Sequence, residues 1–318
     1  MRNYLFFILL SFCFVANASD VKPDFIVATD GTGNFKTVQE AINAVPDFRN
    51  KITIIFIKKG IYKEKLVLAG SKKNVKFIGE SLKETILTYD DYNQKKNIFG
   101  EEKGTSGSSS FYIYGEGFSA ENLTFENSSG PVGQAVAVWA GGDKLIFNNC
   151  RFLGFQDTLY TYGANNRQYY YNCYIEGTVD FIFGASTAWF QNCTIFCKKS
   201  GYITAASTAD TTKFGYVFNN CKILGSAPAN SFYLGRPWRP FAKVAYLNCE
   251  LPELINPLGW NNWGKESNEQ TAYYAEYKST GKGANASKRV VWSHQLTENE
   301  YKAYTLENVF QGWVPVAK

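Results

Sequence analysis

Asn149-Cys150-Arg151-Phe152, Asn172-Cys173-Tyr174-Ile175, Asn192-Cys193-Thr194-Ile195 and Asn220-Cys221-Lys222-Ile223 repeat one four-residue pattern. Asn248-Cys249-Glu250-Leu251 continues it. Asn74-Val75-Lys76-Phe77 and Asn122-Leu123-Thr124-Phe125 keep it with an apolar residue in place of Cys. Successive cysteines of the series are 23, 20, 28 and 28 residues apart. Asn tolerates the left-handed backbone of a sharp bend. The next residue then points inward, the following one outward and the third inward, as in a strand. Gly79, Gly154, Gly177 and Gly225 sit four residues after the Cys position and permit the next bend. A period of this length marks a solenoid whose coils bury each other's faces. The pattern predicts an all-β chain wound as a parallel β-helix. A sandwich of hairpins fits less well, because Asn-Gly hairpin turns are missing.

The ends of the chain read differently. Thr37-Val38-Gln39-Glu40 forms a capping box, and Val38, Ala41, Ile42 and Val45 share one helical face. A helix here is expected to plug the N-terminal end of the stack. Thr297 and Glu300 open a similar helical stretch, so the solenoid is expected to carry helical caps at both termini. Residues 101–110 and 256–270 read as loops. Cys173 and Cys193 fall one coil apart, about 4.8 Å by strand spacing, which is within disulfide reach. A bridge and a pair of stacked core thiols are both compatible with the sequence. No Cys/His set has the spacing of a zinc site.

Residues 1–18 have the plan of a signal peptide: Arg2, an apolar run from Tyr4 to Val15, and Ala16-Asn17-Ala18 before the cut. The run is short for a membrane span. The expected mature chain is residues 19–318, a single domain secreted to the exterior or the periplasm. Loss of Arg2 takes the net charge from +5 to +4. That mild excess does not repel a polyanion, and without a basic cluster it does not argue for nucleic acid. No membrane association is expected, and a monomer is the expected state.

Two carboxylates share the phase of the repeat. Asp157 follows Cys150 by seven residues, and Asp180 follows Cys173 by seven. In stacked coils they leave one face a single rung apart. Like charges that close cannot both ionise cheaply, so one carboxyl holds a proton. An acid beside a nucleophile or base is the chemistry this suits; a pair of solvated loop aspartates is the plainer reading of the spacing alone. The neighbours favour chemistry. Gln156 and Gln134 supply neutral amides that donate to an oxyanion. Asp180 lies in the apolar stretch Val179-Asp180-Phe181-Ile182-Phe183-Gly184 and needs a partner, for which Arg236 in Leu234-Gly235-Arg236-Pro237-Trp238 is the candidate. Trp238 and Phe181 are expected to stack on sugar rings.

At these residues the chain resembles the pectin methylesterase (pectinesterase) family. The match runs in order through Asp30-Gly31-Thr32-Gly33-Asn34-Phe35, Gly60-Ile61-Tyr62-Lys63-Glu64, Gln134-Ala135-Val136-Ala137-Val138, Gln156-Asp157-Thr158-Leu159-Tyr160, Asp180-Phe181-Ile182-Phe183-Gly184 and Leu234-Gly235-Arg236-Pro237-Trp238. The resemblance implies a right-handed, pectin lyase-like β-helix without cofactor or metal. It also implies hydrolysis of the C6 methyl ester of pectin homogalacturonan to pectate and methanol. It assigns Asp180 as nucleophile and Asp157 as general acid, then base. Gln134 and Gln156 form the oxyanion hole, Arg236 orients Asp180, and Trp238 and Thr105 contact the polymer. Two departures stand out. Val138-Trp139 replaces Leu-Arg, which should change a wall of the cleft. Two extra residues precede Asp180, which should lengthen the Tyr162 to Arg167 loop. The single histidine, His294, is expected to be structural, which disfavours a Ser-His-Asp esterase. Lyases and hydrolases of polygalacturonate share such folds, as do non-catalytic binding solenoids. A calcium-dependent lyase would want several clustered carboxylates rather than a pair.

Overall fold

The computed structural model describes residues 22–316. The expected leader, residues 1–18, lies outside them. The chain winds into a parallel β-helix with three strand faces. The first face stacks eleven strands in chain order from Phe25–Val27 through Leu145–Asn148 and Tyr216–Asn219 to His294–Gln295. The second runs from Gly60–Lys63 through Thr85–Tyr89, Thr124–Asn127 and Arg151–Leu153 to Lys222–Gly225. The third runs from Leu66–Leu68 through Phe111–Ile113, Val138–Ala140 and Leu159–Thr161 to Phe232–Pro237. Two long strands, Tyr174–Gly184 and Thr194–Ala206, cross from the second face to the third. All pairings between these strands are parallel.

The bends follow the sequence pattern. Asn74, Asn122, Asn149, Asn172, Asn192, Asn220 and Asn248 all have φ between 49° and 63°. Asn side chains also bond coil to coil: Asn149 donates to Asn122 Oδ1 at 3.0 Å, and Asn172 to Asn149 Oδ1 at 3.4 Å. After each bend, register is kept. Arg151 pairs with Tyr174, Tyr174 with Thr194, and Thr194 with Lys222. The preceding cysteines therefore stack inside the core, with Phe152, Ile175, Ile195 and Ile223 beneath them. A second internal column is aromatic. Phe147, Tyr170, Phe190, Phe218 and Tyr246 stack with centroids 4.5–5.0 Å apart, each pair contributing about 0.5–1.5 kcal/mol beyond its burial.

The six cysteines among the described residues are free thiols, so no disulfide joins Cys173 and Cys193. The Sγ atoms of these two instead turn to backbone carbonyls of the preceding coil: Cys173 to Phe147 O at 3.4 Å, Cys193 to Tyr170 O at 3.4 Å. The helix Val38–Ala44 has the expected capping box and buries Val38, Ala41 and Ile42. Glu64 reaches its free N-terminal amides, accepting from Val38 and Gln39 at 2.8 and 3.0 Å. The C-terminal helices Glu298–Tyr301 and Leu306–Val309 differ from the expected end cap. They lie on the outer side of the first face, packed with Tyr169, Trp189, Val217 and Ala245. The reason is the period of two: these residues alternate with the core column, and the second apolar surface they create must be covered. His294 is exposed and stacks on Tyr273 at 4.4 Å. The segments expected as loops contain short helices, Gly104–Gly107 and Ser267–Thr271. Among the described residues no helix is long and apolar enough to cross a membrane.

The bends make a direct test. Left-handed backbone costs an L-residue such as Ala about 1–2 kcal/mol, and Asn149 also holds its neighbours in the ladder. Asn149→Ala should lower the urea unfolding midpoint clearly more than Asn149→Gly, since glycine keeps the bend. Equal losses for the two variants would show that the conformation at this corner does not matter to stability.

Candidate active site

The third face carries a cleft of about 340 Å³. Asp157, Asp180, Gln134, Gln156, Arg236, Trp238 and Thr105 all line it, joined by Ser106, Tyr160, Phe183, Ala205 and Trp263. The expected carboxylate pair is built by register. Leu159 pairs with Ile182 on adjacent strands, and the Asp157 amide donates to Val179 O at 3.1 Å. Both aspartates occupy left-handed corners, with φ of 64° and 53°. They are 7% and 6% exposed, so both carboxyls are largely removed from water.

Arg236 grips Asp180 in two parallel hydrogen bonds, Nε to Oδ1 at 2.9 Å and Nη2 to Oδ2 at 2.6 Å. Its guanidinium lies between two rings, 3.9 Å from the Tyr202 centroid and 3.8 Å from that of Trp263. Such a sandwich fixes the plane of the fork that a carboxylate needs. Burial pushes the Asp180 carboxyl up, while the bonds and charge of Arg236 hold it down. The balance stays above the usual aspartate value, where pairing alone would have placed it below. Asp157 is raised well above the carboxylate range, first by burial and then by repulsion from Asp180, with only partial relief from Arg236. The pair therefore divides the roles: Asp180 is the better anion and Asp157 the better acid.

The glutamines come from neighbouring coils, joined by an isolated parallel bridge between Gln134 and Gln156. Gln134 Oε1 accepts from Asn93 Nδ2 at 3.0 Å. Thr105 and Ser106 sit in the short helix above the cleft, and Ser106 O accepts from Tyr112 OH at 2.9 Å.

Phe181 is a correction. It is fully buried in the helix core against Phe232, not in the cleft. The register slips between Val179 and Ile182, so the left-handed Asp180 points out and Phe181 turns in. It fills the space beside Gly177, where an added Cβ would meet Phe181 Cβ at 2.2 Å. Phe183 is the cleft ring instead, stacked on Tyr160 at 4.2 Å. Trp139 does not line the cleft either; it packs behind Tyr160 at 4.5 Å, as part of its support. The loop after Tyr162 brings Gly163 and Ala164 to a second hollow, which shares Tyr160 and Trp238 with the cleft and adds Arg239. Among the described residues, no group of three or more His, Cys, Asp or Glu is placed to hold a metal ion.

The sequence model of the family described as Pectinesterase matches residues 24–313. The chain belongs to the pectinesterase family. It is 42% identical over 282 residues to Pectinesterase 31 of Arabidopsis thaliana, covering 86% of this chain and 88% of the relative. Other relatives in the family are longer: the chain spans 51% of a probable pectinesterase/pectinesterase inhibitor of Brassica napus at 39% identity. Its backbone is similar to that of pectin methylesterase from carrot, with a TM-score of 0.86, 34% identity, and coverage of 93% of this chain and 95% of the other.

Two buried carboxyls with raised values have a consequence for stability. Each binds its proton more tightly in the folded state, so each supports folding most below the ordinary aspartate value near 3.9. That support is lost as pH rises through the folded value. Asp157→Asn removes the larger penalty. At neutral pH it should melt at a higher temperature than the parent, and the gain should vanish below about pH 4. A variant no more stable than the parent at neutral pH would show that Asp157 carries no burial penalty.

Proposed function

We propose that this chain removes the C6 methyl esters of pectin homogalacturonan, releasing methanol and leaving pectate. Asp180 is the nucleophile and Asp157 the general acid that becomes the base. The observation that carries this reading is the unequal pair: Asp180 held by two bonds from Arg236, with Asp157 beside it raised well above its usual range. Family membership supports the substrate and the reaction class.

In this mechanism an Asp180 oxygen attacks the ester carbonyl carbon. The carbonyl oxygen takes the negative charge and accepts hydrogen bonds from Gln134 and Gln156. Collapse breaks the bond to methoxy oxygen, and the Asp157 proton leaves with it as methanol. Asp157, now ionised, takes a proton from water, and the resulting hydroxide attacks the acyl-enzyme. Asp180 departs as carboxylate, Asp157 is left carrying the proton it took from the water, and the new acid dissociates as pectate. Arg236 keeps the nucleophile charged and oriented throughout. Trp238 and Thr105 contact the sugars flanking the ester. We also propose that residues 19–318 act as one secreted unit after loss of the leader.

Purified protein incubated with methylated pectin should release methanol and protons in equal amounts, without the ultraviolet absorbance of an unsaturated uronate. Asp180→Asn should be inactive. Asp157→Asn should lose about 10²–10⁴-fold in turnover, and lose less on esters with better leaving groups. An unsaturated product, or normal turnover by Asp180→Asn, would falsify the proposal.

Arg236→Lys tests the pairing. Lysine offers no planar fork, so less of the Asp180 carboxyl is held in its ionised form. The acid limb of the kcat/KM profile should move to higher pH, and kcat should fall more than affinity. An unmoved acid limb would mean that Arg236 does not tune the nucleophile.

A further inference from the structure

We infer that Asn93 is a positioning residue for the reaction: it holds the Gln134 carboxamide with Oε1 turned away from the ester, so that Gln134 presents Nε2–H to the oxyanion. This rests on the reading of Gln134 as an oxyanion donor. A glutamine amide has two nearly isosteric ends with opposite roles. The nitrogen end stabilises an oxyanion, and the oxygen end repels it. A site that depends on the nitrogen end needs something to select it.

Asn93 grips Gln134 twice. Its main-chain amide donates to Gln134 O at 2.9 Å, and its Nδ2 donates to Gln134 Oε1 at 3.0 Å. The adjoining Gly133, at φ 101°, leaves room for Gln94, whose Oε1 lies 3.4 Å from where a Cβ would be.

Asn93 is itself held by a braced hairpin. Its carbonyl accepts from Gly104 at 3.0 Å, and Lys96 bridges to Glu102 across the hairpin. Two residues before it, the Asp91 carboxylate is buried among three lysines: Lys65 and Lys103 at 2.6 Å, and Lys95 at 3.0 Å. Burial alone would raise the Asp91 carboxyl; the three lysines bring it down to about 2. Asn127 Nδ2 donates to Asp91 O at 2.8 Å. Lys65 also donates to Gly107 O at 2.7 Å, tying the same hub to the helix that carries Thr105. A costly buried ion cluster at this point has a reason if the base of the hairpin must not move.

The test is a double-mutant cycle on Asn93 and Gln134, read as kcat and KM on methylated pectin. Asn93→Asp makes the residue an acceptor only, so it draws the Gln134 nitrogen toward itself and turns the oxygen to the ester. It should lose kcat about as Gln134→Leu does, about 10²–10³-fold for one donor of an oxyanion hole, with KM little changed. Asn93→Leu leaves the amide free to take either orientation and should lose less. In the Gln134→Leu background both Asn93 changes should cost less than about threefold further. A new charge or a misfolded hairpin would instead cost the same in both backgrounds, and that result overturns the inference. So does full kcat in Asn93→Asp when Gln134→Leu is impaired. Full kcat in Gln134→Leu itself would remove the oxyanion role, and the inference with it.

Discussion

Each coil of this helix must turn its corners in left-handed backbone, and few L-residues do so cheaply. That constraint selects Asn at the bend before the second face, where Asn122, Asn149, Asn172, Asn192, Asn220 and Asn248 repeat it, and once before the first face, at Asn74. It acts again at the corner leading into the third face, where Asp157 and Asp180 have the same conformation. Asp shares with Asn the short polar side chain that tolerates such a backbone. The fold therefore admits a carboxylate at a corner that throws its side chain into the cleft. Parallel stacking does the rest. Residues of equal phase on consecutive coils become neighbours, so two corners bring two carboxyls together without any long-range adjustment.

The result is electrostatically expensive. Both carboxyls are almost fully buried, and a single cation, Arg236, is bonded to one of them. The asymmetry is what makes the pair useful. A symmetric pair would share its proton; here the fork of Arg236 favours the anion on Asp180, while burial and then repulsion from Asp180 favour the proton on Asp157. The fork can select only if its plane is fixed. Tyr202 comes from the strand next to that of Asp180, and Trp263 from the loop that closes over the cleft. The cation is thus held between one rigid coil and one loop, and an arginine can occupy that slot where a lysine ammonium cannot.

What was legible in the sequence was whatever the coil phase determines. The Asn-Cys-x-apolar pattern revealed the strands, their register and the stacked thiols. The seven-residue offset from Cys150 and Cys173 revealed the carboxylate pair. Gln134, Gln156, Arg236 and Trp238 lie on the same face at ordered spacing, and they converge. Counting in twos failed at one place. A left-handed residue resets the alternation, so Phe181 after Asp180 enters the core; Ile182, where the regular strand resumes after the register slip, follows it inside, and Phe183 is then turned to the cleft. The same reset is visible in the asparagine corners, where Cys150 follows Asn149 inward. The rule that placed the cysteines inside would have placed Phe181 inside too.

The residues that sequence reasoning missed share a different origin. Asn93 and Trp263 belong to segments inserted between coils, where no period relates residue number to face. Asn93 lies 41 residues from Gln134, and nothing in the intervening sequence announces the contact. Each lies near a buried polar anchor: the Asp91–lysine hub for the first, and for the second Arg289, which pairs with Glu276 and also donates to Pro257 O at 3.0 Å at the start of the Trp263 loop. Such anchors carry little net stability for their burial. They do restrict how an inserted segment can sit. In the proposed mechanism the coils supply the reacting groups by repetition, and the insertions add side chains, such as Trp263 on Arg236 and Asn93 on Gln134, that orient them. A buried charge cluster at the root of an insertion is therefore the feature to look for when a repeat alone leaves a site incomplete.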